Sequence, residues 1–112
     1  SNTYYKKTNF QLEGISDGSK LSGKFFLGSG YINEKMKYSF YIKEENGFKL
    51  YSIDADIAHV KYSETEPYLE MYELKKTDDI INYFSIPLKP TCKYIIYVPQ
   101  GSILQNYTLD AN

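Results

Sequence analysis

Hydrophobic and polar residues alternate in short runs along much of this chain, and turn-forming residues separate the runs. The clearest two runs are Lys37–Lys43 (KYSFYIK) and Phe48–Ile53 (FKLYSI), on either side of Asn46-Gly47. Alternation with a period of two is typical of half-buried strands, and Asn-Gly accepts the positive φ angles of a type I′ turn. The pattern therefore predicts a hairpin with Asn46-Gly47 as its two-residue loop.

The position of this loop fixes the predicted register and faces of the hairpin. It places Phe40 opposite Ile53, and side chains on opposed residues share a face. The predicted core face consists of Tyr38, Phe40, Ile42, Tyr51 and Ile53. The other face is expected to be half-polar, with Lys43 opposite Leu50 and Tyr41 opposite Ser52.

Two further runs carry specific expectations. Lys24–Ile32 reads as a strand with Gly28 and Gly30 inside it. Glycine in a strand indicates a bulge, a bend or the close approach of another backbone. Ile57–Tyr62 alternates so that its apolar residues share one face, and His59 is therefore expected to point outward.

The segment from residue 64 to residue 77 allows two readings. Pro67 suits the first turn of a helix, in which Tyr68, Met71 and Tyr72 would form one stripe. Alternatively, a strand over Tyr68–Leu74 would place Tyr68, Tyr72 and Leu74 on one face. We favour the strand, because its neighbours are predicted strands and its aromatic content is high.

The whole pattern predicts an all-β fold, a small β-sandwich or barrel of about seven short, mostly antiparallel strands. Residues 9–112 are expected to form this single β domain, and residues 1–8 a polar leader or linker. The remaining runs and turns are Phe10–Leu12, a turn cluster at Gly14–Ser19, a turn or short helical turn at Thr77–Asp79, a hairpin of Asn82–Leu88 with Lys93–Val98, a turn at Pro99–Gly101 with proline at its first corner, and a last strand at Ile103–Leu109.

Composition narrows the function classes. The 112 residues contain 13 lysines but no arginine, and the net charge is −1. Arginine supplies the planar fork that binds phosphate and guanine edges, so phosphate-centred enzymes and base-reading proteins are disfavoured, and no nucleic-acid partner is expected. The single cysteine, Cys92, excludes an internal disulfide. Because the chain starts at Ser1-Asn2 without methionine, we expect it to be a piece of a longer protein.

Candidate catalytic and metal-binding residues are sparse. His59 is the only histidine, and a small enzyme would need it to meet Cys92 or Asp56. A zinc site would lack two ligands, and the close acidic pair Asp54/Asp56 does not have the spacing of a calcium loop. We therefore expect no enzyme, no catalytic residue, no metal and no cofactor; His59 is expected at the surface and Cys92 in the interior.

Seven segments of the chain, taken in order, form a recognisable pattern. They are Gly23–Gly30 (GKFFLGSG), Tyr38–Ile42 (YSFYI), Gly47–Leu50 (GFKL), Ile53–Asp56 (IDAD), Pro67–Glu70 (PYLE), Tyr97–Ile103 (YVPQGSI) and Leu109–Asp110 (LD). Together they resemble an uncharacterised family of small membrane-anchored proteins from Firmicutes and their phages. The resemblance implies one or two N-terminal membrane helices before a β-rich soluble domain, and hence a membrane-associated full-length protein. It implies no activity and no functional residues.

The tyrosine content indicates how the domain would work. Thirteen tyrosines are more aromatic side chains than one small core hides, and exposed tyrosines are enriched at protein interfaces. We therefore expect a non-catalytic protein-interaction domain that presents a tyrosine-rich face or a sheet edge. The alternatives are the His59 enzyme and the binding of a ligand or single-stranded nucleic acid on a barrel face. The predicted binding residues are Tyr41, Leu50, Tyr62, Tyr68 and Tyr72.

Overall fold

The computed structural model describes residues 2–15, 25–77 and 91–107. These residues form strands and one short 3₁₀ helix, Ala55–Ile57, and no α-helix occurs among them. The all-β prediction is therefore confirmed. The strands are β1 (Asn2–Glu13), β2 (Leu27–Ile32), β3 (Lys35–Glu44), β4 (Gly47–Asp54), β5 (Ala58–Tyr62), β6 (Tyr68–Thr77), β7 (Thr91–Val98) and β8 (Ile103–Gln105).

The eight strands form one curled, mixed sheet in the shape of a half-barrel. Their order is β5-β7-β6-β1-β3-β2-β8, and β4 pairs with β3 outside this path. Most pairs are antiparallel, as predicted, whereas β2–β8 and β5–β7 are parallel. One edge of β3 is shared, because β1 pairs with it at Ile42 and β2 pairs with it from Lys35 to Ser39. β1 and β2 therefore lie one after the other along the same edge of β3.

The β3–β4 hairpin forms in a register different from the predicted one. Glu44 pairs with Gly47, so the loop is Glu45-Asn46, one residue earlier than predicted. Phe40 consequently lies opposite Tyr51 rather than Ile53. Moving the loop by one residue shifts each partner by two, and a shift of two keeps every side chain on its face. The outer pairs are therefore also changed: Lys43 lies opposite Phe48, and Tyr41 lies opposite Leu50.

The tight turn with two positive φ angles lies instead between β2 and β3. Asn33 has φ 51° and Glu34 has φ 65°, while Ile32 and Lys35 pair on either side. This two-residue loop has the φ signs of a type I′ turn. Glutamate at the second position hides the turn from sequence inspection, because glycine is the residue that signals it.

The core lies where the two halves of the curled sheet face each other. Phe40 and Ile42 are buried there, and Tyr38, Tyr51 and Ile53 pack against them partly exposed. The predicted core face is therefore confirmed. Burying each large apolar side chain contributes roughly 1.5–3 kcal/mol. The buried cluster consists of Leu12, Leu27, Phe40, Ile42, Leu69, Ile96 and Val98.

Gly28 and Gly30 both admit Tyr107, its side chain at Gly28 and its backbone at Gly30. For Gly30, the close approach of another backbone was one of the predicted reasons. A Cβ on Gly28 would lie 2.5 Å from Cγ of Tyr107, and a Cβ on Gly30 would overlap the Tyr107 carbonyl oxygen. The Tyr107 amide donates a hydrogen bond of 2.8 Å to the Ser29 carbonyl. The last strand is shorter than predicted, because it ends at Gln105 and Asn106 turns the chain with φ 56°.

Other predictions have mixed outcomes. The strand reading of Tyr68–Leu74 is confirmed by β6. Residues 2–8, expected as a polar leader, instead form the first part of β1 and pair with β6. At the 99–102 turn, the Ser102 amide donates to the Pro99 carbonyl, so Pro99 precedes the two corner residues instead of occupying the first. Residues 16–19 of the first turn cluster, the turn residues 78–79, the strand 82–88 and residues 108–109 lie outside the described residues.

Candidate functional site

The half of the sheet formed by β1, β6, β7 and β5 has one face on the core and a second face open to solvent. Strand alternation selects the outward residues, and the pairing aligns them across the four strands. Tyr5 is 59% exposed on this surface. We call this surface the tyrosine face. Its outward residues with described side chains are Tyr5, Lys7, Asn9, Gln11, His59, Lys61, Tyr68, Glu70, Tyr72, Leu74, Lys93, Ile95 and Tyr97.

Glu70 lies at the centre of the tyrosine face and is buried beneath its neighbours, with 5% of its surface exposed. Its Oε2 atom is 2.7 Å from Nζ of Lys7. Its Oε1 atom accepts hydrogen bonds from the hydroxyl groups of Tyr97, at 2.8 Å, and Tyr72, at 3.3 Å. A buried carboxylate requires this kind of compensation, because an unpaired charge is expensive to desolvate.

These contacts lower the pKa of Glu70 and raise the pKa values of Lys7 and Tyr97. The hydrogen bond from Lys7 is the largest effect and lowers the pKa of Glu70, against the opposing effect of burial. The same bond raises the pKa of Lys7. Donation to Glu70, with burial as the second cause, raises the pKa of Tyr97 to about 12. At neutral pH, Glu70 is therefore ionised, Lys7 is protonated and Tyr97 keeps its proton.

The tyrosine rings around Glu70 are held in place by these bonds and by stacking. Tyr68 and Tyr97, which are cross-strand partners, stack with ring centroids 4.4 Å apart and planes inclined by 12°. Stacked aromatic pairs add about 0.5–1.5 kcal/mol beyond the burial of their area. The result is a preorganised aromatic surface, so that a partner would order few side chains on docking.

Two shallow depressions open on this surface. The larger one has a volume of about 440 Å³. The other, of about 340 Å³, lies beside Tyr68, where the Gln11 side chain donates a 2.6 Å hydrogen bond to Glu66. Both are open to solvent rather than enclosed. The larger depression is lined by Tyr5, His59, Tyr72, Lys93, Tyr94 and Ile95.

The predicted binding residues fall at three separate places. Tyr68 and Tyr72 lie on the tyrosine face, on either side of Glu70. Tyr41 and Leu50 are cross-strand partners on the other half of the sheet, both partly exposed. Tyr62, 62% exposed, ends β5 on the face that points toward the core. The structure therefore brings together Tyr68 with Tyr72, and Tyr41 with Leu50, but does not unite the set.

His59 and Cys92, one pair of the enzyme alternative, lie on opposite faces of the sheet. His59 is exposed on the outer face of β5 opposite Ile95, as predicted for a surface histidine. Cys92 is three residues from Ile95 on β7, so strand alternation places its side chain on the opposite, core-facing side of the sheet. There it is partly exposed rather than in the interior. Asp56 is exposed in the 3₁₀ helix. The sheet therefore separates the His59 and Cys92 side chains, and a nucleophile–base pair of these two is not assembled.

Sequence inspection did not single out Glu70. The face assigned to Tyr68, Tyr72 and Leu74 includes Glu70 by the same alternation, since it lies between the two tyrosines. A lone carboxylate between aromatic residues on one strand face is a signal of a buried, hydrogen-bonded acid. Its partners Lys7 and Tyr97 are distant in the chain, so only the pairing of β1, β6 and β7 reveals them.

Comparisons with protein-family models, with curated proteins and with solved structures gave no match for this chain. Within the described ranges, no group of three or more histidine, cysteine, aspartate or glutamate side chains is arranged to hold a metal ion. None of the helical segments in the same ranges has the length and hydrophobicity that a membrane span requires.

Proposed function

We propose that this chain is a non-catalytic protein-interaction domain and that the tyrosine face is its docking surface. The observation that carries the proposal is the buried Glu70, which fixes Lys7, Tyr72 and Tyr97 from below. Such an arrangement gives a rigid aromatic surface with open rings. Rigid tyrosines provide contact area at low entropic cost, which makes them frequent centres of binding energy.

The distribution of the tyrosines supports the same proposal. Eleven of the 13 tyrosines have described surroundings, the exceptions being Tyr4 and Tyr83, and none of the eleven is fully buried. The core therefore does not fully bury any of these eleven rings. Three are more than half exposed: Tyr5 at 59%, Tyr31 at 71% and Tyr62 at 62%. Only Tyr5 of these three belongs to the tyrosine face.

Affinity capture with matched variants tests this proposal. The immobilised wild-type domain is compared with the double variant Tyr5→Ser/Tyr72→Ser, using extracts of cells that express the chain naturally and quantitative mass spectrometry. Tyr31→Ser is the control, because Tyr31 is the more exposed ring but lies on β2. We expect a partner protein whose captured amount falls at least about tenfold with the double variant and is unchanged with the control. Equal capture by all three proteins would contradict the proposal.

The family resemblance supports a further part of the proposal, namely that the domain is tethered to a membrane through segments outside this sequence. Fractionation of cells that express the full-length protein, followed by protease treatment of intact cells, tests it. We expect the protein in the membrane fraction. If protease added to intact cells cleaves the protein, its partner should be sought outside the cell. If the protein is protected, its partner should be sought inside the cell. A full-length protein found entirely in the soluble fraction would contradict the tether.

A further inference from the structure

We infer that the tyrosine face binds an extended, acidic peptide segment with the pattern acid–x–apolar–x–acid. This inference rests on the proposed function and specifies the chemistry of the partner. The apolar residue would enter the larger depression, and the two acidic residues would lie toward Lys93 and Lys61. Three features of the face lead to this pattern, namely its charge, its spacing and its shape.

The exposed charge of the tyrosine face is positive. Its outward charged residues with described side chains are three lysines and one glutamate. The glutamate, Glu70, is buried and paired with Lys7. The remaining charges are Lys61 and Lys93, both exposed, beside the exposed His59. This charge favours an acidic partner, although the whole chain has a net charge of −1.

The strand register sets the spacing between the two lysines. Lys61 pairs with Tyr97, which is four residues after Lys93 on β7. Four residues of strand and one step between neighbouring strands separate the two lysine backbones by roughly 14 Å. An extended peptide spans about 13 Å between residues i and i+4, and these two residues point to the same side. Two acidic residues four positions apart therefore match Lys93 and Lys61.

The shape of the face accounts for the residue between them. In an extended peptide, residue i+2 points to the same side as i and i+4. The larger depression is lined by Lys93, by Ile95 and His59, which lie level with the midpoint between the two lysines, and by Tyr5 and Tyr72 on the β1 and β6 side. Its volume of about 440 Å³ accommodates a phenylalanine side chain. An apolar residue at i+2 would therefore enter it.

Fluorescence anisotropy with labelled peptides tests the inference. The probe is SGESFSEGS, compared with the charge-reversed SGKSFSKGS and with SGESSSEGS, which lacks the apolar residue. We expect the probe to bind at least about tenfold more tightly than either comparison peptide, and to weaken with salt, because two surface ion pairs and one buried ring contribute. Equal affinity for the probe and the charge-reversed peptide would overturn the inference.

Charge-reversed protein variants assign the binding to the two lysines. In Lys61→Glu/Lys93→Glu we expect about tenfold loss of probe binding and a gain in binding of SGKSFSKGS. Lys43→Glu, an exposed lysine on β3, is the control and should change neither by more than about twofold. The gain for the reversed peptide shows that the variant is folded. Loss for both peptides with an unchanged thermal unfolding curve would overturn the pairing.

The same assay separates this inference from the proposed function and from nucleic-acid binding. If the peptides do not bind while Tyr5→Ser/Tyr72→Ser still loses the captured partner, the docking surface stands and the acidic pattern is overturned. If that partner is retained as well, both fail. Labelled oligothymidylate that binds more tightly than the probe and requires Lys61 and Lys93 would overturn the peptide in favour of a single-stranded nucleic acid.

Discussion

Replacing the buried carboxylate with its neutral isostere, Glu70→Gln, removes the group that organises the tyrosine face. Glu70 accepts hydrogen bonds from Tyr97 and Tyr72 and forms an ion pair with Lys7. Hydrogen bonds to charged groups contribute about 1.5–3 kcal/mol each, and breaking a fully buried ion pair costs about 3–5 kcal/mol. Glutamine keeps the shape and one acceptor oxygen, and the Lys7 side chain, 49% exposed, regains water. We therefore expect a loss of about 2 kcal/mol, below the range for a fully buried pair.

Urea unfolding followed by far-ultraviolet circular dichroism measures this loss. The matched control is Glu64→Gln, in the exposed loop before β6, which should change the free energy of unfolding by less than about 0.5 kcal/mol. The slope of the free energy against urea concentration should stay the same for both variants. A Glu70→Gln variant as stable as the wild type, or a control with an equal loss, would refute the structural role of Glu70.

The pH dependence provides a second test of the same reasoning. Because the pKa of Glu70 is lowered in the folded state, its stabilisation is present above its unfolded value of 4.5 and is lost as the pH falls through the folded value. The difference in stability between the wild type and Glu70→Gln should therefore be complete at neutral pH and shrink in acid. A difference that stays constant from neutral pH into acid would show that the charge of Glu70 is not its cause.

Three further predictions concern other parts of the chain. Gly30→Ala should destabilise the protein by about 2 kcal/mol or more, because its Cβ would overlap the Tyr107 carbonyl, whereas Gly14→Ala, with 3.8 Å to its nearest neighbour, should change far less in the same urea assay. Glu34→Gly should stabilise the β2–β3 turn by about 0.5–1 kcal/mol, because Glu34 has φ 65°; a lower thermal midpoint would contradict this. Tyr97→Phe should lose about 1–2 kcal/mol at neutral pH. Because the pKa of Tyr97 rises from 10.0 to about 12, its contribution to stability is complete below pH 10 and is lost toward pH 12. Unfolding measured over this pH range, with a phenolate titration in parallel, should therefore show a loss of stability in the wild type that Tyr97→Phe lacks.

The sequence pattern was sufficient for most of the strands and their faces, but it missed the first part of β1 and the register of the β3–β4 hairpin. The core face that includes Phe40 and Ile42 is correct although the loop lies one residue earlier, because a two-residue change of partner preserves the faces. The glycines of β2 were also informative, since only the absence of a Cβ admits Tyr107. The tight turn at Asn33-Glu34 was missed because glutamate rarely adopts a positive φ.

The candidate site depended on contacts between distant parts of the chain. Tyr68 and Tyr72 were identified from their alternation, whereas Lys7 and Tyr97 join them only through the pairing of β1, β6 and β7. Residues 2–8 looked like a polar leader because their strand carries lysines and threonine. Pairing with β6 supplies the backbone hydrogen bonds that this part of the chain needs, and local composition does not reveal that pairing.

Site-specific photo-cross-linking is the most direct test of the tyrosine face as a docking surface. The photoreactive residue p-benzoylphenylalanine replaces Tyr5, Tyr72 or, as the control, Tyr31 in the full-length protein, in cells that express it naturally. We predict that Tyr5 and Tyr72 cross-link to the same protein, that Tyr31 does not, and that Glu70→Gln weakens the cross-links. Cross-links from Tyr31 alone, or equal cross-links from all three positions, would contradict the account.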